Sequence, residues 1–323
     1  MAYYNGSASS FAELQSHLVD ALVDQGWILS SGILSKGSAF VRPYVSSTTT
    51  TTEGPGLLIQ MGDGQSGAAI VNPAPNAARL GRPGSADRFE GVSFPAEYFI
   101  HVFDDPDEVY VILRFNIDRY FWLAFGSSSL NTAGTGNWLS GCARQGYITA
   151  TGPTTGYLIS PTSGGVGSAN TASGASVSGG LFWNTQKMTL AGGLGEFVNA
   201  GLNSLSWNGT SNTGTNNAAE RLHAVGFIAP LVERSPSPWN SEAVLLPIQP
   251  HVTVSESKVV MVADLQNARY LRIDNYEPGQ IFSIGPESWK VYPFYLKNTV
   301  SRDGGSAVNH TGTFGMAIRY DGA

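Results

Sequence analysis

HVFDDPDEVYVILRFN, residues 101–116, carries four carboxylates within five positions: Asp104, Asp105, Asp107 and Glu108. Such a cluster suits an acid–base site, a cation site or a turn. Acid–base work on a glycoside needs two carboxyl groups facing each other across about 5–10 Å, and neighbours on one convex turn do not face each other. The flanks decide the matter. EYFIHVFD and VYVILRFNI both read as strands, and Pro106 stands near the middle of DDPDE, where its fixed φ suits a turn. The acidic residues are therefore expected on a solvated hairpin tip, with a loosely held calcium ion as the chemical rival. In the second strand Val109, Val111, Leu113, Phe115 and Ile117 share one face, and Tyr110, Ile112, Arg114 and Asn116 the other. YFWLAFG supplies a third strand, so an antiparallel meander with one deeply buried face is expected.

Upstream, SFAELQSHLVDALVDQGW places Phe11, Leu14, Leu18 and Leu22 at helical spacing. Ser10 with Glu13 fits a capping box, and Gly26 follows the last turn. This stripe must lie on something, most simply a sheet. WILSSGILSKGSAFVRPYV then reads as hairpin strands broken at Ser30–Gly32 or Lys36–Gly37. SSTTTTTEGPG (46–56) reads as a loop, GLLIQMGDG as a short strand, and residues 62–91 as a long irregular loop.

Downstream, charge almost vanishes. Between Arg144 and Glu220 only Lys187 and Glu196 are charged, yet Tyr157, Phe182, Trp183, Phe197 and Trp207 punctuate the stretch. A purely disordered linker has no use for such residues. Residues 148–217 are read as a Gly/Ser/Thr/Asn-rich insertion of short strands and loops, ordered by neighbours. Regular short strands return in VVMVADL, ARYLRIDNY, QIFSIG, WKVYPFYLKN and TGTFGMAIRYDGA. The expected fold is α+β: mostly antiparallel β, with one N-terminal amphipathic helix packed on a sheet. Residues 1–147 and 218–323 form a discontinuous core domain around the insertion.

Composition narrows the function. Only 13% of the 323 residues are charged, about half the usual share. Such a surface suits burial against other subunits. A net charge of −6 gives no basic footprint for nucleic acid. The single cysteine, Cys142, allows neither an internal disulfide nor a thiolate zinc site. MAYYNGSASSF does not read as a signal peptide, no apolar run is long enough to span a membrane, and the sequons at Asn5, Asn208 and Asn309 read as chance. His17, His101, His223, His251 and His310 are scattered, with no paired-histidine metal motif; His17 and His101 read as packing residues. Neither a GxSxG elbow nor a phosphate-binding GxxxxGK[ST] loop occurs. MGDGQSG offers at most a weak anion cradle. No catalytic residue, cofactor or metal ligand is expected. What the sequence offers is aromatic surface: Trp289, Tyr292, Phe294 and Tyr295 in WKVYPFY, with Tyr157, Trp183, Phe197 and Trp207 in the insertion. Such residues dominate interfaces and also stack on sugars.

MAYYNGSASSF, IHVFDDPDEVY, WLAFG, GTGNW, ARYLRIDNYEPGQ, GPESWKVYPFYLKN and TGTFGMAIRYDG together resemble structural proteins of tailed bacteriophages. The resemblance covers both ends of the chain and leaves the middle unmatched. It implies a virion protein of the tail tip or baseplate, non-enzymatic, with itself and other phage tail or virion proteins as partners. It carries over no catalytic residue. The alternatives are a carbohydrate-binding module that touches host surface polysaccharide, a neck or capsid-associated structural protein, and a polysaccharide depolymerase.

Overall fold

The computed structural model describes residues 1–47, 55–73, 77–81, 92–117, 119–128, 136–141, 143–144, 180–188, 195–200, 207–208, 221–222, 245–249, 251–255, 258–261, 264–273, 275–293, 297 and 314–322; within 143–144, 180–222 and 251–260 the description is of the backbone. The chain opens with β1 (Ala2–Ala8) and helix α1 (Phe11–Asp24). There follow β2 (Ile28–Ser30), β3 (Ile33–Lys36), β4 (Ala39–Ser46), β5 (Gly56–Gly62), the small hairpin β6 (Gly64–Ser66) and β7 (Ala69–Val71), and β8 (Ala78–Gly81). Three long strands come next, β9 (Ala96–Asp104), β10 (Asp107–Asn116) and β11 (Arg119–Ser127), then β12 (Asn137–Gly141) and β13 (Ala143–Arg144). The middle contributes β14 (Gly180–Met188), β15 (Gly195–Ala200), β16 (Trp207–Asn208) and β17 (Arg221–Leu222). The rest gives β18 (Leu246–Ile248), β19 (His251–Ser255), β20 (Lys258–Met261), β21 (Leu265–Arg272), β22 (Ile281–Ile284), β23 (Glu287–Pro293) and β24 (Phe314–Arg319). The α+β expectation holds: the described residues are mostly antiparallel β, with one helix packed on sheets.

The strands form layers. A nine-stranded sheet, β1-β9-β10-β11-β12-β14-β15-β16-β17, lies between a six-stranded sheet, β13-β8-β5-β4-β3-β2, and a five-stranded sheet, β18-β21-β24-β23-β22. Helix α1 fills the space between β1 and β9 on one side and β4 and β5 on the other. Its stripe is as expected: Phe11, Leu14, Leu18 and Leu22 are buried, with Ala21. Burying such a leucine stabilises a fold by about 1.5–3 kcal/mol. The Ser10 Oγ accepts from the Glu13 N–H at 3.1 Å. The Glu13 carboxylate reaches back to the N–H of Ser9, at 2.6 Å, rather than to that of Ser10. Gly26, with φ +81°, ends the helix. Both candidate hairpin breaks form turns. Ser30 pairs with Ile33 and Lys36 with Ala39; Ser31 and Gly32 both have positive φ, as a two-residue turn matching strand twist requires.

Three expectations change. Residues 62–91 are not one irregular loop, because they contain β6, β7 and β8. Strand β8 pairs with β5 from Gly56↔Gly81 to Ile59↔Ala78 and is buried throughout. ARLG has no alternation because both of its faces are covered. The meander, too, is buried on both faces. Val109, Val111 and Leu113 turn toward the helix side, and Tyr110 and Ile112, equally buried, toward the five-stranded sheet. Finally, Ile117 does not join the apolar face; it is 77% exposed, because the pairing of β10 with β11 shifts between Arg114 and Asn116. The segment 48–54 and Cys142 lie outside the described residues.

Candidate functional site

The β9–β10 hairpin is the turn the sequence calls for, closed by Asp104↔Asp107. Its four acids have three different fates. Asp105 is exposed. Asp104 and Asp107 share Lys36, whose Nζ lies 2.6 and 3.0 Å from their carboxylates and also donates to the Gln25 carbonyl at 3.1 Å. The cluster thus ties the hairpin tip to the end of α1 and to β3.

Glu108 overturns the expectation of a wholly solvated tip. It is fully buried. One carboxylate oxygen accepts from the Gln266 N–H at 2.8 Å. The other accepts from the Asn267 N–H at 3.0 Å and from the Tyr110 hydroxyl at 2.9 Å. Parity is the cause: Glu108 shares the face of Tyr110, opposite that of Val109, and that face meets β21. Burial pushes its carboxyl up to about 7, against the pull of these donors. Its cross-strand partner is Gly126, where a Cβ would stand 2.2 Å from the Asp107 carbonyl oxygen. The glycine of WLAFG lets the strands close at this point.

A second polar cluster bridges the same two sheets at the β1 corner. His101 is buried in β9, with its Nε2 3.0 Å from the Tyr292 hydroxyl. Burial, and then the charge of Lys290, holds its imidazole down at about 3, so it is neutral. Lys290 donates to the Tyr3 hydroxyl at 2.7 Å and lies over the rings of Tyr3, Tyr320 and Phe99 at 4.5, 5.1 and 5.6 Å. Burial lowers its ammonium from the ordinary lysine value. The packing role read for His101 fits these contacts. His17 likewise stacks on Tyr98, with ring centres 4.8 Å apart.

The expected aromatic surface is corrected where the structure describes it. Trp289 and Tyr292 are 2% and 1% exposed. They alternate along β23, so Tyr292 meets the nine-stranded sheet and Trp289 the opposite face, under the Arg269 guanidinium at 5.0 Å. Covering both faces of the sheet buries both residues. Trp183, Phe197 and Trp207 lie in β14, β15 and β16, which extend the nine-stranded sheet from the pairs Trp138↔Phe182 and Leu139↔Leu181. Tyr157, Phe294 and Tyr295 lie outside the described residues.

Sequence reasoning missed the apolar residues that are exposed. Among the described residues, four of the seven large ones lie on two edge strands, and Val23, Val71 and Ile117 lie elsewhere. Ile28 and Leu29 of β2 protrude beside Val23 of α1, and Ile281 and Ile284 of β22 are 46% and 52% exposed. QIFSIG carried this signal, with isoleucines on both faces of a short strand and no charge.

Among the described residues no three His, Cys, Asp or Glu side chains converge as metal ligands, and no helix is long and apolar enough to cross a membrane. No protein-family model matches the chain, and no curated protein matches it.

Proposed function

We propose that the chain is a non-enzymatic structural component of a tailed-bacteriophage virion, of the tail tip or baseplate, that works by assembling with itself and with other virion proteins. The observation that carries this reading is the presence of exposed aliphatic side chains on the edge strands β2 and β22 of a chain with only 13% charged residues. An exposed edge strand with aliphatic side chains and no charge is a template for pairing with another chain. The buried polar groups support it as well. Glu108, His101 and Tyr292 make hydrogen bonds that hold two sheets together. The motif resemblance at both ends of the chain supplies the virion setting. A sugar-binding surface is less favoured, because Trp289 and Tyr292 are core residues.

The test is direct. Antibodies raised against the purified chain are applied to gradient-purified particles from a lysate of cells producing it. The expected result is label at the distal end of the tail, with the chain present by mass spectrometry. Particles that lack the chain overturn the proposal, and label at the neck or head moves the station.

A further inference from the structure

The described sheet edges are guarded to different degrees. On β2, the Ser30 carbonyl accepts from the Gln65 side chain at 3.0 Å, so one acceptor of that edge is taken up. On β18, Pro247 interrupts the row of donors. On β1, the exposed residues are Asn5, Gly6 and Ser7, with no aliphatic among them. Strand β22 has none of these protections. From Gln280 to Gly285 it carries no charge and no proline, the devices by which edges usually resist pairing.

Its backbone phase is fixed. The Gln280 carbonyl accepts from the Val291 N–H at 2.9 Å, so residue 280 faces β23. By the alternation of an antiparallel ladder, Phe282 and Ile284 face β23 as well, and the N–H and C=O groups of Ile281 and Ser283 point away from the sheet. The ladder Ile281↔Lys290 to Ile284↔Glu287 is unbroken.

We propose that β22 is a self-complementary edge and that its occupant is β22 of a second copy, paired antiparallel about a two-fold axis through Phe282. This inference rests on the assembly reading above and names the interface. The register follows from the phase. Ile281 of each copy meets Ser283 of the other, and each pair exchanges both of its outward backbone bonds. Phe282 meets its own mate in the close, non-hydrogen-bonded position, with the two Ile284 side chains covering the contact diagonally on that face. The five-stranded sheets then run on as one sheet across the axis. The interface is isologous, so it closes at two copies and leaves the rest of the surface for other virion proteins. The two Lys290 ammonium groups stand three strand spacings apart, about 14 Å, and do not oppose the contact.

The experiment uses the full chain. Light scattering across a concentration series reads the mass of the wild type and of Ile284→Lys, which adds a charge at an exposed position. A second variant, Phe282→Cys on a Cys142→Ser background, places its thiols where the Cα atoms of a non-hydrogen-bonded pair lie about 4.5 Å apart, within disulfide reach; Ser288→Cys on the same background, one strand inward, is the control. The expected results are an even-numbered wild-type oligomer, a halved mass for Ile284→Lys, and oxidative cross-linking of Phe282→Cys but not of Ser288→Cys. An unchanged mass for Ile284→Lys together with no Phe282→Cys cross-link overturns the β22 interface and leaves the assembly reading standing. A wild-type chain that is monomeric at every concentration overturns the homo-oligomeric reading itself.

Discussion

The two faces of the nine-stranded sheet are held by different physics. Toward α1 and the six-stranded sheet, the centre of the contact is apolar: Ile100, Val102, Val109, Val111, Leu113, Leu123 and Phe125 meet Leu14, Leu18, Leu22 and Trp27, with polar links at one end, where Asn137 donates to the Ser38 carbonyl at 2.9 Å and Lys36 pairs with Asp104 and Asp107. Toward the five-stranded sheet, apolar packing is interrupted by Glu108 on the amides of Gln266 and Asn267 and by His101 on Tyr292. An apolar face gains stability in proportion to area and tolerates small sliding. Buried hydrogen bonds add little net energy but are costly to leave unmade, so they select one docking position. The apolar centre of the first face supplies stability, and the buried polar pairs at the centre of the second fix its register.

The largest expected effect tests the apolar face. Leu18→Ala should cost about 2–5 kcal/mol in denaturant unfolding, because Leu18 is fully buried on a helix that packs against β4, β5 and β9. A loss under about 1 kcal/mol is the size seen at exposed sites and would break the comparison.

Glu108→Ala comes next. It orphans two backbone N–H groups and the Tyr110 hydroxyl, but it also removes a carboxyl whose burial is itself unfavourable. The net cost is expected at about 1–3 kcal/mol. The sharper readout is hydrogen exchange. The amides of Gln266 and Asn267 should exchange faster in Glu108→Ala than in Leu18→Ala at matched stability. Equal exchange would mean that Glu108 does not pin β21.

The third prediction concerns pH. The Glu108 carboxyl rises from 4.5 in the unfolded chain to about 7, so its contribution is fully present below pH 4.5 and is lost as pH rises through 7. The His101 imidazole falls from 6.5 to about 3, so its contribution is present above pH 6.5 and is lost as pH falls toward 3. Between about 4.5 and 6.5 the two slopes oppose each other. The melting temperature of the wild type should therefore be nearly flat there. Glu108→Gln should unmask a rise with pH up to 6.5, and His101→Gln a fall from 4.5 to about 7. A wild-type curve that is steep in that window, with both variants parallel to it, contradicts the assignment.

The smallest effect belongs to the hairpin tip. Asp105 is exposed, and among the described residues Lys36 pairs with its neighbours Asp104 and Asp107 rather than with it. Asp105→Asn should change stability by less than about 0.5 kcal/mol. A larger change, or calcium-dependent melting of the wild type, would show that the tip does more than turn the chain.

How much of this the sequence makes legible depends on how many faces an element buries. Helix α1 has one buried stripe, and its spacing and caps announce it. The meander strands were readable as strands, but their second buried face was not, since Tyr110, Ile112 and Arg114 form a mixed row that resembles a solvated side. Strand β8 is short and covered on both sides, so no period marks it. Glu108 is the plainest case: it ends a run of charges after a proline, and only its parity with Tyr110 separates it from Asp107. The same double coverage turned Trp289 and Tyr292 from an expected surface into core, while the exposed Ile281 and Ile284 drew no notice in a four-residue strand.

The corner where Lys290 meets Tyr3 joins groups 287 positions apart in the chain, and the pin from Glu108 to Gln266 spans 158. Contacts of such high sequence separation form late and make folding slow. Until β21, β23 and β24 have been synthesised, Phe99, Phe103, Tyr110 and Trp122 have no cover on that side of the nine-stranded sheet. A nascent chain halted before Asp264 should therefore bind a hydrophobic dye and aggregate, whereas the finished chain should not. For this topology the vulnerable interval is the time between translating β12 and docking β24, and a holding chaperone would act there.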